Sequence, residues 1–182
     1  MSAKADSLSK KSPSRRPVLE MKESGIAGYG VFAAKPIKKG QRIHIMRGKR
    51  MAIRAMFRAV DNGLENSADP LLIGDDLYLD LDELSRTFNH SCNPNAYLRG
   101  KCTLTALRNI RSGEEISYDY STTMVDGERI KSLGHPLWTC RCKCGARNCV
   151  GVIDQFHRLP ARRRAFYVKN RFAPDFVLRK FD

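Results

Sequence analysis

The stretch RTFNHSCNPN, residues 86–95, decides the fold of this 182-residue chain. It places an amide, an imidazole and a thiol close together, in Asn89, His90 and Cys92. A second stretch, CRCKCGARNC at residues 140–149, crowds four thiols into ten residues. Because a buried thiolate needs a cation or a proton, converging thiols are most simply held by tetrahedral Zn²⁺. The second stretch therefore predicts a metal site.

The chain has six cysteines, which could instead form three disulfides. Four of them are separated by only one or four residues, and this crowding fits metal thiolates in a reducing compartment better than disulfides. Residues 1–17 are polar and basic and lack the apolar run of a secretory signal. No apolar run approaches the ~20 residues that span a bilayer. We therefore expect a cytoplasmic or nuclear, chromatin-associated protein without a membrane partner.

Two further motifs accompany these stretches. The stretch GYG, residues 28–30, lies near the start, and EEISYDY, residues 114–120, lies between the two thiol-bearing stretches. In this order, the four motifs resemble those of the SET-domain protein lysine methyltransferases that carry a post-SET zinc-binding segment. The resemblance covers roughly residues 17–151. One motif alone would be weak evidence, whereas four in the family's order are highly specific.

The resemblance implies a mainly β fold, the β-clip type of SET domain. We expect small curved sheets, one inserted amphipathic helix, a post-SET zinc segment and a C-terminal helix. The resemblance also implies a pseudoknot, in which the tyrosine-bearing segment passes through the loop that carries the Asn-His motif. Ordinary topology rules argue against such threading, so the resemblance alone supports it.

Hydrophobic periodicity predicts the individual elements. Short apolar pieces bounded by glycine and proline predict strands at residues 31–34, 42–45, 77–81, 97–99, 102–107 and 115–118. An apolar stripe opposite three arginines predicts an amphipathic helix at residues 51–60. A proline near the start of the basic residues 158–168 predicts a second helix there.

The length is that of one domain with a small appendage. The expected organisation is a disordered basic tail at residues 1–16, a SET domain at 17–121, a post-SET linker and zinc-binding segment at 122–152, and a basic helical extension at 153–182. The tail has too few apolar residues to offset its chain entropy.

The family pattern identifies the expected zinc ligands as Cys142, Cys144 and Cys149, with Cys92 reaching in from the Asn-His stretch. Cys140 departs from that pattern. It offers a rival set in which Cys140 replaces Cys92, so that the site would be purely local. A third interpretation is that no metal binds.

The resemblance implies S-adenosylmethionine as the cofactor. Two glycines around one residue remove side chains, so that backbone can approach a ligand closely. A dinucleotide-binding motif is disfavoured because Ala33 stands where its third glycine would be. The positions that the resemblance assigns to the cofactor are Ala27, Gly28, Tyr29, Gly30, Asn89 and His90, with Lys143 and Trp138 as further candidates and Tyr78 as a candidate wall of the pocket.

The implied reaction is an in-line methyl transfer from a sulfonium to an uncharged amine. A free lysine, with a pKa near ~10.4, is neutral only about one time in a thousand at neutral pH. A nearby sulfonium and an apolar channel both lower that pKa. The resemblance implies that Tyr120 is the essential catalytic residue. It also implies that Tyr118 limits the number of methyl groups, which predicts a low methylation state.

The formal net charge of +14 is unevenly distributed. Residues 35–58 contain nine Lys or Arg and no acid, whereas residues 61–83 contain eight acids and no base. Either surface could simply be solvated. The acidic stretch otherwise predicts a basic protein or peptide substrate, histone-like or nucleic-acid-binding, and the basic stretches predict contact with nucleic acid.

Two alternatives to an active enzyme remain open. One is a non-catalytic module that binds nucleic acid or chromatin and uses zinc as a staple, although residues 35–58 lack aromatic interleaving. The other is a degenerate SET domain that binds cofactor without turnover, which the intact Tyr120 argues against. The sequence does not specify the oligomeric state.

Overall fold

The structure is a computed structural model that describes residues 17–66 and 69–181. The expected disordered tail, residues 1–16, lies outside the described residues. In the described part of the chain, no helix is long and apolar enough to cross a membrane. The fold is mainly β, with small antiparallel sheets and a few short helices, and this confirms the expected fold class.

The strands of the described residues form four small antiparallel sheets. In chain order the strands are β1 (Leu19–Glu23), β2 (Tyr29–Ala33), β3 (Arg42–Ile45), β4 (Gly48–Ala52), β5 (Leu71–Gly74), β6 (Leu77–Leu81), β7 (Ala96–Arg99), β8 (Thr103–Ala106), β9 (Cys140–Arg141) and β10 (Val152–Ile153). The sheets have the strand orders β1-β2, β3-β8-β7, β4-β6-β5 and β9-β10. Short strands joined by tight turns account for this division; Gly100, for example, has a φ of 66° in the turn between β7 and β8.

The helices are short and mostly amphipathic. They are α1 (Ile53–Asp61), α2 (Glu83–Arg86), α3 (Gly127–Ser132), α4 (Ala161–Asn170) and α5 (Asp175–Phe181), with 3₁₀ turns at Tyr120–Thr123 and Phe156–Arg158. Helix α1 buries Ile53 and Met56 and exposes Arg54 and Arg58, as its apolar stripe predicts. Helix α2 begins after Asp82, whose carboxylate accepts a hydrogen bond from the Ser85 N–H at 2.8 Å.

The helix predicted at residues 51–60 begins two residues late. Met51 and Ala52 belong to β4, where they pair with Tyr78 and Leu77 of β6. The ladder with β6 therefore overrides the helical periodicity at its first two positions.

The strand predicted at residues 115–118 is wrong as a regular element. Glu115 forms an isolated antiparallel bridge to Phe32, and Tyr118 forms an isolated parallel bridge to His90. The segment changes partner within three residues, so neither ladder continues. A sequence pattern reports burial along the segment but not this change of neighbour.

The C-terminal helix predicted at residues 158–168 runs instead from Ala161 to Asn170, directly after Pro160. The chain then turns through Arg171, which has a φ of 55°, into the unpredicted helix α5. Helix α5 buries the apolar residues Phe176, Val177 and Leu178.

Two hydrophobic clusters organise the described residues. The first joins β2, β3 and the sheets around β6 and β8, with Leu98 and Leu104 fully buried. The second joins α1, Tyr78 of β6, α3, α4 and α5. The C-terminal extension therefore packs into a core that it shares with the inserted helix.

Candidate active site and thiol cluster

Two distant segments, residues 89–91 and 118–120, lie side by side at the centre of the site. The Tyr118 N–H donates to the Asn89 carbonyl at 3.2 Å, and the Ser91 N–H donates to the Tyr118 carbonyl at 3.1 Å. The Tyr120 N–H donates to Nδ1 of His90 at 3.2 Å. This adjacency is the one that the expected threading requires.

The two tyrosine rings of this segment contact each other. Their centroids are 4.8 Å apart, and burial raises the pKa of each hydroxyl, so both phenols stay neutral. The Tyr120 hydroxyl donates to the Phe88 carbonyl at 2.6 Å, which fixes its orientation. A neutral, oriented phenol can position a nitrogen lone pair but cannot act as a strong base near neutral pH.

A cavity of about 520 Å³ opens beside these rings. Its walls come from α1, β5, β6, the segment around Tyr118 and Tyr120, and the stretch from His135 to Thr139. Tyr78 and Trp138 both line this cavity. Tyr78 is buried and its hydroxyl donates to the Asp126 carboxylate, while burial raises the pKa of that carboxyl. The structure thus brings Tyr78 and Trp138 to the tyrosine pair.

The glycine motif lies against the Asn-His segment. The Asn89 side-chain amide donates to the Tyr29 carbonyl at 3.0 Å and to the Glu115 carboxylate at 2.8 Å. A Cβ on Gly30 would lie 2.2 Å from that carboxylate, so a larger residue there requires the Glu115 side chain to move. Gly28 has a φ of 46°, which also favours glycine. The loop of residues 27–30 and Asn89 are therefore one connected unit.

Glu115 is a site residue that the sequence analysis missed. Its carboxylate accepts from the Ser24 hydroxyl at 2.9 Å as well as from Asn89, so it ties the loop before β2 to the Asn-His segment. Ser24 and Glu115 are 91 residues apart, and no spacing pattern points to such a pair. Of the remaining cofactor candidates, Tyr29 is 63% exposed and Lys143 is exposed.

The thiols of Cys92 and the downstream cysteines converge. The Cys92 sulfur lies 3.8 Å from that of Cys142 and 4.0 Å from that of Cys149, and the Cys92 N–H donates to the Cys144 sulfur at 3.4 Å. Four sulfurs at ~2.3 Å from one Zn²⁺ would lie about 3.8 Å apart. The donor set and its spacing therefore fit a tetrahedral zinc site.

The pKa values of these thiols point in different directions. Burial raises the pKa of Cys92 and Cys142. Burial also acts to raise the pKa of Cys144, but hydrogen bonds from the backbone of Cys92 and Ala146 lower it to about 7. Backbone donors thus favour one thiolate in this cluster before any cation is considered.

Cys140 points away from the cluster. It is exposed, and its thiol donates to the carbonyl of its neighbour Arg141 at 3.4 Å. Cys92 is buried among the other three sulfurs instead. This arrangement favours the set with Cys92 over the purely local one.

His90 also reaches the cluster, since ligand atoms of His90, Cys92, Cys142 and Cys144 lie within 4.8 Å of one another. Its Nδ1 accepts the Tyr120 N–H, so in the neutral ring the proton is on Nε2. Burial lowers the pKa of His90 and favours that neutral form. Nε2 lies 3.4 Å from the Cys92 sulfur and donates to it. This arrangement favours His90 as a hydrogen-bond donor to the Cys92 sulfur over His90 as a metal ligand.

The acidic stretch divides into two groups. Several of its members are engaged locally: Asp82 caps α2, Asp76 pairs with Arg129 at 3.0 Å, and Asp80 lies 3.5 Å from Arg86. Two others, Asp61 and Asp69, line the cavity, where Asp61 lies 3.8 Å from His135 and Asp69 lies 3.3 Å from Arg86. The acids that face the tyrosine pocket are thus fewer than the sequence suggests.

The sequence model of the SET domain matches residues 28–121, just over half of the chain. The chain belongs to the SET-domain family. The match contains the glycine motif, the Asn-His stretch and both tyrosines, which are the parts that meet in the structure. The thiol cluster and the C-terminal helices follow this SET domain along the chain.

Curated relatives match more of the chain at modest identity. A variant-silencing SET domain-containing protein of Plasmodium falciparum is 31% identical over 149 residues, covering 72% of this chain and 5% of that protein. An H3 lysine-36 specific histone-lysine N-methyltransferase of Candida albicans is 29% identical, covering 70% of this chain and 16% of that protein. The human histone-lysine N-methyltransferase SETD1B is 27% identical, with shares of 77% and 7%. The chain therefore spans less than a fifth of each relative.

Solved structures support the fold. A Chaetomium thermophilum Polycomb Repressive Complex 2, a humanized mutant bound to the inhibitor GSK343, aligns with a TM-score of 0.56 at 19% identity, over 64% of this chain and 17% of that chain. An autoinhibited form of that complex bound to S-adenosylmethionine aligns with a TM-score of 0.53 at 21% identity, over 60% and 16%. These similarities establish the SET fold.

Proposed function

We propose that this SET domain transfers methyl groups from S-adenosylmethionine to a lysine side chain of a basic protein, histone-like or nucleic-acid-binding. The observation that carries the proposal is the tyrosine pair, the buried Tyr118 and the partly buried Tyr120, which is hydrogen-bonded into the Asn-His segment and opens onto the 520 Å³ cavity. The histone-lysine methyltransferases among its relatives agree with it. The same relatives favour work at chromatin.

The cofactor would be held by the unit formed by residues 27–30 and the Asn-His segment. Backbone groups there offer donors and acceptors to a zwitterionic ligand, and the Asn89 amide oxygen offers a further acceptor, since the amide N–H groups already bind Tyr29 and Glu115. Trp138 is proposed to stack on its adenine, and the Lys143 backbone to contact the same ring. Tyr78 is proposed to complete the wall towards the substrate. Bound S-adenosylmethionine supplies the methyl group as an electrophilic sulfonium.

The tyrosine pair would act on the substrate amine. Its two contacting rings limit the access of water, so an ammonium in the channel loses hydration and its pKa falls. The Tyr120 hydroxyl, fixed by the Phe88 carbonyl, is proposed to orient the nitrogen lone pair. The buried Tyr118 hydroxyl would restrict rotation of a methylated amine, so that mono-methylation dominates.

The direct test is incubation of the protein with methyl-labelled S-adenosylmethionine and a panel of basic proteins. We expect label on lysine and, by mass spectrometry, mainly the mono-methyl product. If no basic protein acquired label, the proposed methyltransferase activity would be contradicted. A mainly trimethyl product would contradict the role of Tyr118 alone.

The packing at Gly30 predicts a strong effect on cofactor binding. In Gly30→Ala, the new Cβ meets the Glu115 carboxylate at 2.2 Å and the Asn89 amide at 3.1 Å. The Glu115 carboxylate must move aside and lose its hydrogen bond to Asn89, and the loss of a hydrogen bond to a charged group costs about 1.5–3 kcal/mol. We expect S-adenosylmethionine affinity, measured by isothermal titration calorimetry, to fall about tenfold or more.

Gly25→Ala is the matched control for this experiment. A Cβ at Gly25 meets nothing within 4 Å, so its affinity should equal that of the unmodified protein. Equal affinity of the Gly30 and Gly25 variants would show that the loop and Asn89 do not bind the cofactor as one unit.

The thiol cluster is proposed to hold a structural zinc ion through Cys92, Cys142, Cys144 and Cys149. The sulfur separations of 3.8 and 4.0 Å support this set. All four positions are thiols, so the site offers no open coordination position for a substrate. Its proposed role is to fasten the post-SET segment to the Asn-His segment.

The substrate is proposed to lie in the cavity between α1 and residues 135–139, with its positive charges facing Asp61 and Asp69. In the double variant Asp61→Asn/Asp69→Asn, a Lys/Arg-rich peptide should bind about threefold to tenfold more weakly, since exposed pairs contribute up to ~1 kcal/mol each. Its affinity should also depend less on salt. Fluorescence anisotropy at low and high salt measures both effects.

Asp75→Asn removes an exposed acid of the same stretch that does not line the cavity. Its affinity and salt dependence should stay close to those of the unmodified protein. If the Asp75 variant weakened binding as much as the double variant, the general charge of the stretch would matter and the cavity acids would not.

The alternative function is a non-catalytic, zinc-stapled module that binds nucleic acid or chromatin. The observation in its favour is the exposed basic side of β4 and α1, which presents Lys49, Arg50, Arg54 and Arg58. Salt-sensitive nucleic-acid binding without measurable cofactor affinity would favour this module over the enzyme.

A further inference from the structure

Helix α4 lies beyond the SET domain match, yet its inner face reaches the centre of the site. Arg163 and Tyr167 are four residues apart, so both project from the same face of this helix. Arg163 reaches the thiol cluster, and Tyr167 reaches the segment that carries Tyr120. No motif in the sequence pointed to either residue.

Arg163 is a half-buried cation beside the thiol cluster. Its Nη2 donates to the carbonyl of Asn148, between Cys144 and Cys149, at 2.6 Å. Its Nη1 is buried and makes no hydrogen bond within the described residues. A side-chain hydrogen bond from Arg163 acts to lower the pKa of Cys92, and the charge of Arg163 acts to lower the pKa of His90. A buried guanidinium nitrogen without a partner is costly unless an anion lies beside it.

A zinc ion with four thiolates is such an anion, because two positive and four negative charges leave about −2. Within the described residues, Arg163 is a cation placed to balance part of that charge, with Asn148 holding it in position. The Asn148 amide in turn donates to the Cys92 carbonyl at 3.3 Å. Asn148 therefore connects the Arg163 guanidinium to Cys92 of the thiol cluster, and each contact stabilises the position of the other.

Tyr167 makes the second connection. It is 2% exposed, and its hydroxyl donates to the Asp119 carboxylate at 2.8 Å. The other oxygen of Asp119 accepts from the Ser121 N–H at 3.1 Å, and so it caps the turn that begins at Tyr120. Tyr167 thus holds the residue next to the proposed catalytic tyrosine.

We propose that helix α4 contributes two residues to the active site. Arg163 is the counter-cation of the zinc thiolate cluster. Tyr167 is a positioning residue for Tyr120 and acts through Asp119. The role of Arg163 concerns the zinc thiolate cluster alone and does not depend on the proposed function. The role of Tyr167 rests on the proposed methyl transfer.

Zinc retention tests the role of Arg163. The zinc-loaded full chain is mixed with excess 4-(2-pyridylazo)resorcinol, and zinc release is followed by absorbance. Arg163→Met removes the charge and keeps the length, and we expect release at least about tenfold faster, the scale of a lost partner of a ligand. Arg163→Lys keeps a charge and should release more slowly than Arg163→Met. Arg162→Met, at the exposed neighbouring position, should match the unmodified protein.

Unchanged release in Arg163→Met would overturn the counter-cation role, as would equally fast release in the Lys and Met variants, because then charge would not matter. If Arg163→Met failed to fold by circular dichroism, the comparison of Arg163→Lys with Arg163→Gln decides in the same way. None of these measurements requires methyltransferase activity, so they stand even if the proposed function fails.

Tyr167→Phe tests the role of Tyr167, because it removes one hydroxyl and keeps the ring. We expect kcat to fall about tenfold, the scale of one buried hydrogen bond to a charged group, with KM for the cofactor and zinc release unchanged. A purely structural role would lower the melting temperature and leave kcat at 25 °C unchanged, and that result would overturn the positioning role.

Discussion

Tyr120→Phe is expected to slow methyl transfer by a factor of about 10²–10³, the scale of losing one oriented polar group at a reacting centre. The variant loses the hydroxyl that donates to the Phe88 carbonyl at 2.6 Å, and the cavity loses its fixed phenol. Single-turnover transfer of label from S-adenosylmethionine to a basic protein measures the effect. Cofactor affinity should change little, since the glycine loop and Asn89 remain in place.

Tyr97→Phe is the matched control for this change. Tyr97 lies on β7, where its ring packs against Phe172 at a centroid distance of 4.7 Å, away from the cavity. Its transfer rate should equal that of the unmodified protein. Label appearing equally fast with Tyr120→Phe would mean that another group orients the amine.

Cys92→Ser should have the second large effect, the loss of the zinc ion. Cys92 is the one buried thiol that comes from the Asn-His segment, and its sulfur lies 3.8–4.0 Å from two others. A structural zinc ion contributes on the order of 10 kcal/mol to the segment that it holds. We expect substoichiometric zinc by elemental analysis and rapid proteolysis within residues 133–150.

Cys140→Ser provides the control, because Cys140 is exposed and turned towards its own neighbour. This variant should bind one zinc ion and resist protease as the unmodified protein does. The reverse result, with zinc lost in Cys140→Ser and kept in Cys92→Ser, would establish the purely local site.

The family and the fold class could be predicted from the sequence because four motifs resemble those of SET-domain proteins in the same order. Glycines that admit close backbone approach, an Asn-His pair and crowded thiols are informative wherever they lie along the chain. Periodicity likewise placed α1 and most of the central strands to within a few residues. These signals arise from residue type and spacing, which need no knowledge of neighbours.

The sequence mispredicted the bounds of helices and strands where a segment pairs with a distant part of the chain. Met51 and Ala52 fit the apolar pattern of a helix, but in the structure they pair with β6 as part of a strand. The local pattern contains no information about that distant strand. The segment at residues 115–118 fits a strand, but it bridges Phe32 at one end and His90 at the other. In both cases long-range hydrogen bonds outweigh local preference.

By itself, the sequence determined the SET fold, the motifs and the types of residue that the site contains. Only the tertiary structure showed that Glu115 accepts a hydrogen bond from Asn89 and that Cys140 points away from the other thiols. It also placed Arg163 beside the thiol cluster and Tyr167 beside Asp119. The physical reason is that a motif indicates which kind of group each residue can bind. Packing of the folded chain determines which distant residues actually meet, such as Asn89 and Glu115, 26 residues apart, or Ser24 and Glu115, 91 residues apart. The C-terminal helices are the clearest case, because their role exists only through the core that they share with α1.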